Sequence, residues 1–254
     1  MRNLFYALRS GIFLLWMTLT VIPWGLAVVV FSIFARGAPV YWLCAGWLGM
    51  SIRSCRVICG ARWRVQGMEN LPDGPAILLP KHQSTWETFA FPMLMPRPLC
   101  YVFKRELLYI PFFGWSMARM DMIHIDRTRK SEAWRRVIEQ GRQHMAHGNW
   151  VIMFPEGTRA PRGGKGEYKS GGSRLAVTTG VPVVPIAVSA AKCWPRKSFL
   201  IRPGLIDVSI GKPIPSEGRS PDELMKEVEA WIEAEMRRID PEAYVDAPVA
   251  AQST

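Results

Sequence analysis

Residues 10–35 carry no charged side chain, and Arg9 and Arg36 flank them. An uncharged run of this length leaves a chain few folds to choose from. As a helix its 26 residues reach about 39 Å at 1.5 Å per residue, more than a hydrocarbon core of about 30 Å. Pro23 lies near its middle, where a proline bends a helix. A second uncharged run, residues 37–52, covers only about 24 Å as a helix. Arg53, Arg56, Arg62 and Arg64 follow. Three arrangements fit: two spanning helices, a helical hairpin seated in one leaflet, or a buried helical pair in a soluble core. The short second run favours the hairpin. A cleaved signal peptide does not fit, because the run is too long and lacks an A-x-A-like end. In both membrane arrangements Arg2, Arg9 and the arginines after Ile52 share one side, and Arg36 sits at the turn. The positive-inside rule then expects residues 1–59 to seat the chain on the cytoplasmic face of the inner membrane. The arginines would rest against anionic headgroups.

The net charge of +11 points to an anionic partner: nucleic acid, lipid headgroups or an acidic substrate. The basic residues are scattered and no nucleic-acid recognition motif occurs, so no nucleic acid is expected. The five cysteines, Cys44, Cys55, Cys59, Cys100 and Cys193, match neither a disulfide framework nor a zinc-ligand spacing. They read as small buried hydrophobes in a reducing compartment.

From Gly60 onward, short apolar runs alternate with amphipathic stretches, which predicts an α/β domain over residues 60–240: a mixed sheet flanked by helices, with the apolar hairpin in front. Strands are expected at residues 76–79, 99–103, 122–125, 150–154, Val183–Val188 and 208–210. A helix is expected to begin near Thr85. Another is expected at residues 131–147, with Trp134, Val137, Ile138, Gly141 and Met145 on one face, Ser131 as N-cap and Gly148 as stop. Ser220-Pro221-Asp222-Glu223 opens the last helix with a capping box and a proline at its first position. Residues 241–254 read as a loose tail.

Two segments carry polar chemistry. Lys81-His82-Gln83-Ser84-Thr85-Trp86-Glu87 follows a buried strand. On one continuous helix His82 and Glu87 would point about 140° apart. They meet only if His82 stays on the turn and Glu87 sits in the first helical turn. Ser84-x-x-Glu87 has the form of a capping box that would make this break. Glu87 is therefore either a helix cap or the acid that orients a histidine base, fixes its tautomer and stabilises its imidazolium. Phe154-Pro155-Glu156-Gly157-Thr158-Arg159 follows another strand and enters a glycine-rich loop. That loop fails as a nucleotide P-loop, because Arg159 stands where the first glycine belongs and Gly166 replaces the required Ser or Thr. Arg159 reads either as a phosphate-gripping fork or as a surface arginine. Lys104-Arg105-Glu106-Leu107, Ile125-Asp126-Arg127 and Val184-Pro185-Ile186 are strand ends that say little alone.

In this order the segments resemble the glycerolipid acyltransferase family over roughly residues 60–212. His82 and Glu87 fill the histidine and aspartate places of its first motif. Lys104, Glu106, Pro111 and Gly114, then Ile125-Asp126-Arg127, match its second. Phe154 through Arg159 match its third without a gap, and Val184-Pro185-Ile186 match its fourth. The resemblance implies transfer of a fatty acyl group from acyl-CoA or acyl carrier protein to the free hydroxyl of 1-acyl-glycerol-3-phosphate, giving phosphatidic acid. His82 would be the general base and Glu87 its orienting acid. Lys104, Arg127 and Arg159 would hold the acceptor phosphate, with Glu156, Gly157 and Thr158 also at the substrate. No metal or cofactor beyond the acyl donor is implied. Glu87 departs from the family by replacing aspartate. His124 departs by replacing an apolar or aromatic residue. Both departures fit an acceptor that is another lysolipid. A different reaction class is offered by Gly114-Trp115-Ser116-Met117-Ala118, which has the form of a serine-hydrolase nucleophile elbow, with Asp126 and His144 after it.

Overall fold

The structure, a computed structural model, describes residues 2–125 and 130–245. Its centre is a seven-stranded sheet: β1 (Ala61–Gln66), β2 (Ile77–Pro80), β3 (Leu99–Lys104), β4 (Ile123–Ile125), β5 (Trp150–Ile152), β6 (Val183–Val188) and β7 (Gly204–Ile210), in the order β1-β7-β6-β2-β5-β3-β4. All neighbours run parallel except β6 and β7, which are antiparallel. The expected mixed sheet is therefore present.

The central strands are buried throughout, and successive residues turn to one of two cores, as two-sided strands require. Leu78, Trp150, Ile152, Val184 and Ile186 face the side covered by α1 (Arg2–Phe34), α2 (Ala38–Cys59) and α3 (Trp86–Leu94). Ile77, Leu79, Val151, Val183 and Ala187 face α5 (Lys130–Ala146), α6 (Gly171–Thr179) and α7 (Pro221–Ile239). The short α4 (Phe113–Met117) lies against α1.

Helix α1 runs unbroken through Pro23, and among the described residues it is the one helix long and apolar enough to cross a membrane. Its polarity is inverted relative to a soluble core helix. Ser10, Gly25 and Ser32 are among its few buried residues, whereas Leu4, Leu8, Ile12, Leu15, Leu19, Ile22, Leu26, Val30 and Ile33 are exposed. Those leucines, isoleucines and valine recur every three or four residues and so form one continuous apolar stripe. The hairpin is built into the domain. Phe13, Tyr41, Ile52 and Cys55 belong to the first core. The Phe13 and Trp194 rings meet edge to face at 5.9 Å, and Ile201 N donates to Ser10 Oγ at 2.9 Å. Helix α2 runs seven residues beyond Ile52, so Arg53 and Arg56 lie on the helix itself.

Several boundaries differ from expectation. The strand expected at 150–154 ends at Ile152, and the one expected at 208–210 begins at Gly204. Lys130 is already helical, which places Ser131 inside α5 and not at its cap. Strand β1 and helices α4 and α6 were not expected. The capping box opening α7 is complete, with Glu223 N to Ser220 Oγ and Ser220 N to Glu223 Oε2 both at 3.3 Å. After α7 the chain remains tied. Asp240 takes two bonds from Arg162 at 2.7 and 2.8 Å, and Tyr244 packs against the second core.

Candidate active site

Parallel neighbours β2 and β5, in register as Leu78 with Ile152, deliver their carboxyl ends side by side. Ligands of open α/β sheets bind outside such ends. The segment after β2 carries Lys81 and His82, and the segment after β5 carries Phe154 and Glu156. The two loops are bound together: His82 N donates to Glu156 Oε2 at 2.8 Å, and Ala160 N donates to His82 O at 2.8 Å. The His82 ring lies flat on Phe154, with centroids 3.9 Å apart.

Helix α3 starts at Trp86, which leaves His82 on the turn and puts Glu87 in the first helical turn. His82 Nδ1 and Glu87 Oε1 are 3.0 Å apart. The same oxygen accepts the backbone N–H groups of Gln83 at 2.7 Å and Ser84 at 2.6 Å. Half of the expected capping box forms, since Ser84 Oγ takes the N–H of Trp86, not that of Glu87. The helix-cap bonds and the contact to the histidine ring therefore fall on one oxygen. Two backbone donors fix Oε1 as an acceptor, so Nδ1 must be the donor. In the neutral imidazole the lone pair then falls on Nε2. The His82 side chain is 13% exposed and that of Glu87 is fully buried.

Arg159 is half-buried beside His82 along the paired backbones, and its carbonyl accepts a bond from Arg196. Its buried Nε has no hydrogen-bond partner among the described residues. A buried guanidinium N–H in that state is a donor ready for an anion. Gly157 occupies the left-handed region at φ +63°, and a Cβ there would lie within 4 Å of the Lys169 ammonium end. Lys169 had not been singled out from the sequence, where it is one exposed lysine among many. Thr158 is exposed on the same turn.

Glu156, expected to touch substrate, does something else. Its side chain is 0% exposed. Oε1 receives Lys81 Nζ at 2.9 Å and Gly166 N at 3.1 Å, while Oε2 receives His82 N. It braces the two loops from beneath. Lys81 is buried as well, between Glu156 and Glu233. Tyr168 closes this group by donating to Glu233 at 2.8 Å. Burial, then the nearby Glu233 and Glu156, push its phenol well above the ordinary range. The backbone of Lys104 pairs with Ile125. The Lys104 side chain and the whole of Asp126 and Arg127 lie outside the described residues.

An apolar cavity of about 100 Å³ lies between α2 and α3, lined by Tyr41, Ala45, Leu48, Phe89, Tyr101 and Met120 among others. Thr88, which also lines it, follows Glu87, and its carbonyl accepts the Tyr101 hydroxyl at 3.1 Å. Tyr101 in turn lies 6.5 Å from Phe154. A second hollow toward α1 shares Leu48, Met117 and Met120 with the first. The serine-hydrolase alternative fails here. Ser116 sits inside α4, not on a strand-to-helix turn, and its hydroxyl donates to Phe112 O at 2.7 Å. His144 Nδ1 is buried without a hydrogen-bond partner among the described residues.

A His82–Glu87 pair, with Arg159 on the loop that bonds His82 O through Ala160, suits acyl transfer, and comparison with known proteins agrees. Residues 62–189 match the acyltransferase family model, and the chain belongs to that family. Among individual relatives, it is similar to the 1-acyl-sn-glycerol-3-phosphate acyltransferase of Pseudomonas aeruginosa, 40% identical over 92% of this chain and 93% of that one. The enzyme of the same name from Saccharomyces cerevisiae is 30% identical over 66% of this chain and 57% of its own. The crystal structure of the 1-acyl-sn-glycerophosphate acyltransferase from Thermotoga maritima superimposes with a TM-score of 0.77, covering 100% of this chain and 98% of that one, at 24% identity. That likeness bears on the fold.

Proposed function

We propose that this acyltransferase moves a fatty acyl group from an acyl thioester, of coenzyme A or acyl carrier protein, to the free hydroxyl of 1-acyl-glycerol-3-phosphate, giving phosphatidic acid. The names of its relatives support this acceptor. The observation that carries the mechanism is Glu87 Oε1, held by two backbone N–H groups and 3.0 Å from His82 Nδ1. His82 Nε2 takes the hydroxyl proton as the hydroxyl oxygen attacks the thioester carbonyl. The tetrahedral intermediate collapses, the carbon–sulfur bond breaks, and the departing thiolate takes the proton back from the imidazolium. Glu87 stabilises that imidazolium and holds its ring. A thiolate leaves readily, so positioning and deprotonation are the main tasks.

Arg159 supplies a charged donor to the acceptor phosphate, with Lys104, Arg127 and the exposed turn at Gly157 and Thr158 as further contacts. The apolar cavity takes an acyl chain, and its methionines adapt to chain shape. The exposed stripe of α1 seats the enzyme in the membrane that holds its lipid acceptor. A continuous exposed apolar stripe of this length marks a surface made to meet a membrane or another protein. Arg2, Arg9, Arg53 and Arg56, clear of the turn at Arg36, support a site on the cytoplasmic face. A transfer assay with purified protein, radiolabelled lysophosphatidate and acyl thioesters of both carriers tests the reading. The parent protein forms labelled phosphatidate and His82→Ala does not. Equal rates from both would refute the base assignment. A panel of lysolipids tests the acceptor in the same assay.

A further inference from the structure

We propose that Glu233, on the C-terminal helix α7, is a positioning residue for the His82 base, acting through Lys81 and Glu156. It deepens the transfer reaction proposed above and rests on it. Residue 233 lies outside the span of the family model, which ends at 189, yet it is joined to the dyad by three contacts in series. Glu233 Oε1 is 2.7 Å from Lys81 Nζ. Lys81 Nζ is 2.9 Å from Glu156 Oε1, and Glu156 Oε2 is 2.8 Å from the backbone N of His82. The Lys81 ammonium has three N–H donors and finds three acceptors: the two carboxylates and Gly164 O at 3.2 Å. It is 0% exposed, so each of those partners replaces water it cannot reach.

The sequence adjacency of Lys81 and His82 makes this a clamp. One end of Glu156 holds the Lys81 side chain and the other holds the His82 main chain. Glu233 fixes where the ammonium stands and therefore how Glu156 is turned. With Glu233 removed, the ammonium moves to the remaining carboxylate, the Tyr168 hydroxyl loses its acceptor, and Glu156 is free to rotate off His82 N. A displacement of about 1 Å at a catalytic group costs up to roughly 100-fold in rate.

The test compares Glu233→Leu and Glu233→Gln in the full-length protein, with rates normalised to folded enzyme. Glu233→Leu is expected to lower kcat by roughly 10- to 100-fold, leave KM for lysophosphatidate unchanged and displace the acidic limb of the kcat–pH profile. Glu233→Gln keeps an acceptor oxygen for Lys81 and Tyr168, and is expected to recover most of kcat and the parental profile. The paired variant Lys81→Met with Glu233→Leu removes one charge of each sign. It provides a folded comparison if the single leucine variant does not fold, and is expected to show the same kcat loss. Parental kcat and pH profile in folded Glu233→Leu or in the paired variant would overturn the assignment while the transfer reaction stands. A fully active His82→Ala would instead overturn the reaction itself.

Discussion

Replacing Glu87 with glutamine separates the charge of the dyad from its geometry. In a serine-protease triad the corresponding amide replacement costs about 10⁴ in kcat, because the amide leaves the imidazole in the wrong tautomer. Here that route is closed. The N–H groups of Gln83 and Ser84 approach one oxygen at 2.7 and 2.6 Å. An amide turned to present NH₂ would face two buried donors and leave each unsatisfied, at about 1–3 kcal/mol apiece. The glutamine oxygen therefore takes the Oε1 place and Nδ1 still donates to it. What is lost is the carboxylate charge facing the imidazolium. A hydrogen bond to a charged group contributes about 1.5–3 kcal/mol and a neutral one about 0.5–1.5. The difference of about 1–2 kcal/mol predicts a kcat lower by roughly 5- to 30-fold. The glutamine NH₂ falls where Glu87 Oε2 is already buried without a partner among the described residues, so a small drop in Tm accompanies the change. Steady-state transfer assays at saturating lysophosphatidate and acyl thioester, with folded fraction checked by circular dichroism, measure it. A loss near 10⁴ would show that the backbone N–H pair does not orient the amide. An unchanged kcat would show that Glu87 is a helix cap and no more.

Further outcomes follow from other parts of the site. Arg159→Lys keeps the charge and loses the planar fork, so KM for lysophosphatidate is expected to rise about 10-fold with kcat nearly kept; an unchanged KM in the same assay would remove Arg159 from the phosphate site. Ala45→Phe intrudes on the apolar cavity, so a donor panel from short to long acyl thioesters is expected to show preference shifting to shorter chains, and an unaltered profile would place the chain elsewhere. Arg238, then Ser209, hold the Glu235 carboxyl below its ordinary value of 4.5. A carboxyl depressed in the folded state stabilises fully above its unfolded pKa and ceases to do so as pH falls through the folded value. The Tm difference between parent and Glu235→Gln is therefore expected to be constant near neutrality and to shrink below about pH 4.5; a difference that grows in acid would refute the pairing.

What could be read from the sequence was what depends on neighbours along the chain. The capping box at Ser220, the amphipathic face of α5 and the two-sided central strands are local patterns, and all are present. The break between His82 and Glu87 was legible for the same reason. Strand β1 was hidden by its composition. Arg62 and Arg64 alternate with Trp63 and Val65 on an edge strand, and Arg64 pairs with Asp207 at 2.6 Å. Read as part of a basic cluster, those arginines mask the strand period. Helix α6 was hidden by Gly171 and Gly172, which look like loop. A Cβ at Gly172 would stand 2.4 Å from the buried Leu79 side chain, so any larger residue there requires Leu79 to move. The role of Glu156 was illegible because its partners, Lys81, His82 and Gly166, come together only when β2 and β5 lie side by side.

The proposed substrates suit a dyad that sits where those pieces meet. An acyl chain needs an apolar wall and a phosphate needs cations, so the reacting hydroxyl and thioester must lie on the border between the two. His82 stacks on Phe154 at 3.9 Å, and its carbonyl takes the N–H of Ala160, the residue after Arg159. A base in such a place is useful only if its ring cannot turn toward either neighbour. Stacking on Phe154 restrains the ring plane, and Glu87 restrains rotation within that plane. Because Glu87 does this with the same oxygen that ties the turn to the start of α3, the helix boundary and the histidine orientation are one constraint. Truncating the side chain would break both, and only an isosteric change of charge can tell which part of the rate belongs to the carboxylate.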